Sequence, residues 1–183
     1  MSDDCFRIPD TRNIADKYRW WEVPSIVEDL DKTRSGMVSV FVNLSHDMNL
    51  GSGVRNSNWF NTQQVRIAGR KKWDRRGAVG THVYTGILHY PTPEEAITAL
   101  KDEGYRIVAA EIDDRAVPLP SYEWNERSAV IYGEEGLGLS AEVMELCDDI
   151  VFIPGRGTVR SLNVATTSGI FIYDYSMKTG LLG

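Results

Sequence analysis

Cysteine is scarce in this 183-residue chain. Cys5 and Cys147 are too few for a disulfide framework or a cysteine-based metal cluster. No hydrophobic run approaches the roughly 18 residues that read as a membrane span. The opening Met1-Ser2-Asp3-Asp4 lacks a secretion-signal pattern, so the cytoplasm is the expected compartment. Positive charge is not in excess either. Against 26 Asp and Glu stand 20 Lys and Arg, a net charge of −6. That balance argues against a protein that coats nucleic acid nonspecifically. No internal repeat or low-complexity tract is found, and His46, His82 and His89 show no metal-ligand spacing, so all three read as structural or exposed.

What is present is an ordinary globular composition, 42% hydrophobic and 25% charged, at a length that suits one compact domain with a sizeable core. Residues 1–35 are more polar than the rest and read as an N-terminal extension on a core of residues 36–183. Trp20-Trp21 is its expected anchor, and a short helix is expected after Ser25, where Ser25 and Glu28 have capping-box spacing. Beyond it, strand patterns at 37–43, 64–68, 85–88, 105–111, 129–132 and 150–153 are interleaved with helix patterns. The first of these strands alternates apolar and polar residues. Helices are predicted over 49–60, over 93–103, from Ser140, and over 162–175. The second has Thr92 at its N-cap, Pro93 at its first position and Gly104 past its end. Cys147 falls on the apolar side of the third and reads as core. Such alternation predicts an α/β, Rossmann-like domain with a mostly parallel sheet. Ligands of such sheets bind beyond the carboxyl ends of the strands, which directs attention to the loops after Asn43, Tyr132 and Ile153.

The first loop opens on Asn49-Leu50-Gly51-Ser52-Gly53-Val54-Arg55. Its two glycines would let a ligand approach the backbone, but taken alone they read first as an ordinary helix entry with a surface arginine. The second, from Gly133 to Ser140, has three glycines in six residues before a serine-capped helix. It fits neither a phosphate-binding P-loop nor a dinucleotide fingerprint, and its two acids would repel a triphosphate but tolerate a cation. The third, Ile153-Pro154-Gly155-Arg156-Gly157-Thr158-Val159-Arg160-Ser161-Leu162-Asn163-Val164, pairs glycines and arginines with Ser-x-Asn where a helix should begin. Helix capping explains only part of that pattern. Between the first two loops, Arg70-Lys71-Lys72-Trp73-Asp74-Arg75-Arg76 has the make-up to grip phosphates and stack on a base, with a solvated loop as the plain alternative.

Taken in order, the three loops resemble the three motifs of the SpoU/TrmH branch of the SPOUT RNA methyltransferases. Asn-x-Gly-x-x-x-Arg matches at Asn49, Gly51 and Arg55. Gly-x-Glu-x-x-Gly-Leu-Ser matches at Gly133, Glu135, Gly138, Leu139 and Ser140. Ile-Pro-x-x-Gly-x-Val-x-Ser-Leu-Asn-Val matches without a miss from Ile153 to Val164. The resemblance covers about residues 37–176. One departure is Arg55-Asn56-Ser57-Asn58-Trp59-Phe60-Asn61, where relatives often continue Arg-x-Ala-x-x-Phe-Gly.

The resemblance implies a C-terminal deep trefoil knot, which no pattern rule would suggest because knots are so rare. It also implies a homodimer, S-adenosyl-L-methionine as cofactor, no metal, and methylation of a ribose 2′-hydroxyl in structured RNA. Of tRNA and rRNA, tRNA is favoured, because compact members of the family often act on it. The cofactor would be held at Gly133, Ile153 and Leu162, with Ser161 nearby and Ala110 lining the pocket. RNA would be gripped by Arg55, Arg70, Lys71, Lys72, Arg75 and Arg76. The carried-over catalytic residues are Arg55, Asn49, Glu135, Ser161 and Asn163, with the arginine reaching in from the neighbouring subunit. A guanidinium keeps its proton in proteins, so Arg55 is expected to clamp the adjoining phosphate rather than act as base. Glu135 and Asn163 would orient it, and Ser161 and Asn49 would shape the pocket. The competing expectation is a noncatalytic RNA-binding or assembly protein that retains the fold.

Overall fold

The computed structural model describes residues 10–42, 47–134 and 136–182. The expectations placed on Cys5, His46 and Glu135 therefore lie outside the described residues. Within them, seven strands form one sheet: β1 Ser35–Val42, β2 Thr62–Ala68, β3 Ile87–Tyr90, β4 Arg106–Ala110, β5 Val117–Pro118, β6 Ser128–Tyr132 and β7 Asp149–Phe152. Their order is β3-β2-β1-β6-β4-β7-β5, and every neighbouring pair is parallel. The helices are α1 Val23–Asp31, α2 Asp47–Trp59, α3 Pro93–Asp102, α4 Ala141–Glu145 and α5 Val164–Lys178.

Parallel neighbours need crossover connections, so both faces of the sheet are covered. Met37 and Phe41 of β1 face a core shared with Val54 of α2 and with Phe171, Ile172 and Tyr175 of α5. Val38, Val40 and Val42 face the opposite core, with Ile97 and Leu100 of α3 and Val143 of α4. The alternation expected at 37–43 is thus not one of core against solvent, for even Ser39 is fully buried. Cys147 is half-buried at the edge of the second core, where burial pushes its thiol up to about 12.

Several boundaries differ from expectation for local reasons. Helix α1 begins at Val23 with Pro24 in its first turn, so Ser25 lies inside the helix and does not cap it. The anchor of this region is Tyr18 with Ile26, packed against Tyr84. Trp20 and Trp21 stay 50% and 42% exposed, Trp21 lying edge-on to Tyr18. β3 starts later than 85 because the Thr85 hydroxyl donates to the Thr81 carbonyl and keeps that residue in a turn. The two-residue edge strand β5 carries no sequence signal of its own. α3 conforms: Thr92 caps it by accepting from the Glu95 N–H, 3.3 Å.

Helix α2 owes its position to glycine, though not in the way its motif suggests. A Cβ at Gly53 would collide with the Phe41 ring, and one at Gly51 would come within 2.7 Å of Gly77 Cα. These glycines let β1 and the 3-10 turn Arg75–Ala78 pack tightly on the helix, in keeping with a helix entry rather than a close ligand approach. After α2, Asn61 adopts the left-handed conformation (φ 49°). Asparagine tolerates it better than other side chains. Its amide also donates to Leu30 O at 2.9 Å and Thr33 Oγ1 at 3.1 Å, tying α1 to the core.

The C-terminal helix is gripped by the segment joining β5 to β6. Lys178 Nζ donates to the carbonyls of Leu119 (2.7 Å), Pro120 (3.1 Å) and Tyr122 (3.0 Å) and pairs with Asp174 at 2.9 Å. Trp124 Nε1 donates to Asp174 at 2.8 Å, and the Tyr175 hydroxyl donates to Glu126 O at 2.5 Å.

Gly53→Ala should lower stability by about 1–3 kcal/mol, the usual cost of overpacking. Gly155→Ala, where a Cβ meets open space, should leave the thermal midpoint unchanged. Equal midpoints for the two variants in thermal denaturation would contradict this account of α2.

Candidate functional site

Because the strands are parallel, β4, β6 and β7 end at the same edge of the sheet. Ala110 is in register with both Tyr132 and Val151, which brings Ala110, Gly133 and Ile153 together at the three carboxyl ends. Ala110 and Ile153 are half-buried against the core beneath α2 and α5, giving this edge an apolar floor. Gly133 faces the backbone at the far side of its own loop, where a Cβ would lie 2.6 Å from Leu139 N. Gly138 turns that loop back in a left-handed conformation (φ 69°), and its N–H donates to Glu134 O at 2.8 Å. Ser140 then caps α4 by accepting from the Val143 N–H, 3.3 Å. The result is a tight, backbone-lined turn over an apolar floor. Ser161 and Leu162, in the loop after β7, are exposed. Leu137, at the tip of the 133–139 turn, is 87% exposed.

One residue at this edge carried no motif signal. The Glu111 carboxylate, one position past β4, accepts from the Leu139 N–H (2.9 Å) and the Ile112 N–H (3.0 Å). A lone acid after a strand looks like any surface residue until the fold brings a second loop to it.

A second cluster joins the first and third motifs. Asn163, not Ser161, caps α5: its Oδ1 accepts from the N–H groups of Ala165 (2.9 Å) and Thr166 (3.2 Å). The same amide donates through Nδ2 to Asn49 Oδ1 at 2.9 Å, so one side chain both starts α5 and ties it to α2. Asn56 adds a second tie, donating to Ala165 O (2.7 Å) and Ser168 Oγ (3.1 Å). Between the two helices runs an open groove of about 560 Å³. Its lining is polar at Asn49, Ser52, Asn56, Asn163 and Thr166 and apolar at Phe60, Ile170 and Tyr173. Arg55 is exposed on α2 and has no hydrogen-bond partner among the described residues.

The basic segment lies alongside, because the turn Arg75–Ala78 packs on the start of α2. Arg70, Lys71, Lys72, Arg75 and Arg76 are all exposed. Arg76 is paired with Asp74 at 2.5 Å, and the hydrogen bond from Arg76 holds that carboxyl below its ordinary value. The expected base-stacking aromatic is corrected: Trp73 packs against the core and lies edge-on to His82 at 6.2 Å. Burial, with the charge of Arg75, lowers the pKa of His82, so that ring is neutral at pH 7. Among the described residues, no helix is long and apolar enough to cross a membrane, and no acidic, histidine or cysteine group could hold a metal ion.

A model of the SpoU rRNA Methylase family matches residues 36–173. Among curated proteins, the tRNA (guanosine(18)-2′-O)-methyltransferase of Escherichia coli K12 is 29% identical over 97 residues, 53% of this chain and 42% of that enzyme. The match thus spans less than half of that relative. The solved Aquifex aeolicus TrmH/SpoU tRNA modifying enzyme superposes with a TM-score of 0.78 at 23% identity, covering 87% of this chain and 83% of that one. The SpoU methyltransferase AviRb from Streptomyces viridochromogenes, solved with AdoMet, gives 0.70 at 22% identity, covering 85% and 62%. At these identities the superpositions establish the fold.

Asn163→Ala should cost about 1 kcal/mol by uncapping α5 and should speed hydrogen exchange at Ala165 and Thr166. Asn163→Asp keeps the capping oxygen and should restore both, although it loses the donor to Asn49. A loss of stability as large in the Asp variant would show that the tie to Asn49, and not the cap, holds the helix start.

Proposed function

The chain belongs to the SpoU rRNA methylase family, and we propose that it transfers a methyl group from S-adenosyl-L-methionine to a ribose 2′-hydroxyl of structured RNA, with tRNA favoured, in the cytoplasm. The observation that carries this reading is the joining of all three motif loops around one sheet edge, with the Asn49–Asn163 bond linking the first to the third. The residues present fit the cofactor. Ala110 and Ile153 offer an apolar floor for a purine, and the turn at Gly133 offers backbone polar groups unobstructed by side chains. Leu162 and Ser161 would close the pocket from the exposed third loop. When bound, the cofactor supplies an activated methyl group on a sulfonium, and no metal is needed for its transfer.

The protein's part in the reaction is positioning. Arg55 acts as a clamp on the phosphate beside the reacting ribose, stabilising charge as the hydroxyl loses its proton. Glu135 and Asn163 orient Arg55 and the loops, and Asn49 and Ser161 shape the pocket. The exposure of Arg55 on α2 leaves it accessible for action across a homodimer. The outer face of α5 supports a homodimer as well, since Ile170, Tyr173 and Met177 recur there at helical spacing and are exposed. Tyr175, Phe171 and Ile172 fill the opposite face of that helix. Arg70, Lys71, Lys72, Arg75 and Arg76, alongside α2, would hold the RNA backbone. The grip of residues 119–126 on α5 supports a threaded, knotted C-terminus. Residues 1–35 would form an extension that aids substrate recognition.

Methyl transfer from radiolabelled cofactor to separated tRNA and ribosomal RNA fractions tests the activity. Label should enter the tRNA fraction and resist alkaline cleavage, and Arg55→Ala should lower the rate by roughly 100-fold with an unchanged circular dichroism spectrum. Cofactor binding without label in any fraction would count against it. A double variant, Ile170→Glu with Tyr173→Glu, should run as a monomer in light scattering and lose activity. An active monomer would remove the dimer from the mechanism.

A further inference from the structure

We propose that Glu111 is the positioning residue that sets the cofactor loops, an inference that rests on reading this sheet edge as the cofactor site. Strand β4 lies between β6 and β7, and Glu111 is the first residue beyond it. From there it bonds to three chain segments at once. Its N–H donates to Val151 O at 3.2 Å, tying it to β7 just before the third motif loop. Its Oε2 accepts from the Leu139 N–H at 2.9 Å, at the end of the second motif loop. Its Oε1 accepts from the Ile112 N–H at 3.0 Å, fixing the start of the loop that follows β4 itself. Gly138 is shaped for this contact: its φ of 69° suits glycine, and a Cβ there would run into the Glu111 carboxylate.

The carboxylate matters because both of its oxygens accept. An ionised acid satisfies two N–H donors with charge-assisted bonds. A glutamine has one acceptor oxygen, and its NH2 would face a backbone N–H and repel it. Both bonds are made to backbone N–H groups at the sheet edge, and the Leu139 side chain is held separately by apolar packing in the second core, so replacing Glu111 should reshape the site and leave that packing in place.

Calorimetric titration with S-adenosyl-L-methionine on the full chain tests this in wild type, Glu111→Gln and Glu111→Asp. Steady-state KM for cofactor and for unfractionated tRNA, and the thermal midpoint without cofactor, complete the comparison. Glu111→Gln should weaken cofactor binding and raise cofactor KM about tenfold, the loss of one charge-assisted hydrogen bond. The KM for tRNA and the midpoint should hold, and Glu111→Asp, which keeps the charge, should recover part of the affinity. Wild-type affinity in Glu111→Gln would overturn the inference alone. A parallel fall in cofactor affinity, tRNA affinity and midpoint would overturn it too, making Glu111 a general brace. Failure of the wild type to bind cofactor would overturn the reading beneath it, and the inference with it.

Discussion

Every strand of the sheet runs the same way, and much of the molecule follows from that constraint. Parallel pairing forbids hairpins, so each connection must cross a face, and the crossing helices bury both sides. That is why β1 is buried along almost its whole length and why Met37 and Val38 belong to different cores. The same constraint gathers the carboxyl ends at one edge. Ala110, Gly133 and Ile153 are separated by long stretches of chain yet meet there, over an apolar floor.

On that frame, close backbone approach does much of the positioning. Gly51 and Gly53 bring α2 against the turn Arg75–Ala78 and the Phe41 ring, and the basic segment arrives beside the first motif as a consequence. Gly133 and Gly138 close the second motif loop on itself, leaving room for the Glu111 carboxylate to reach Leu139. The small residues of these motifs are thus explained first by packing, and that packing places the polar groups around them.

Polar side chains complete the arrangement by serving two elements each. Asn163 starts α5 and holds Asn49, and Asn61 both turns the chain after α2 and ties down α1. Lys178 collects three carbonyls from the segment that crosses α5. Such groups couple loop geometry to helix position, so a local change in either motif is felt in the other.

The α/β class, the mostly parallel sheet and six of the seven described strands are legible in residue patterns alone, because alternating short apolar runs and capped helices have few other solutions. The N-cap at Thr92, the helix after Ser140 and the three loops belong to that legible part, since each depends on neighbours in sequence. Motif spelling also identified the family. What lay beyond the sequence depends on partners distant along the chain. Whether Trp20 or Tyr18 anchors the N-terminal region turns on where Tyr84 arrives. Whether Trp73 offers its ring to a base or to the core turns on the position of α2 and His82. The role of Glu111 exists only once Leu139 folds back onto it. Local spacing determined the elements and the motif residues; tertiary structure decided which of them touch, because contact energies depend on distances that sequence separation does not encode.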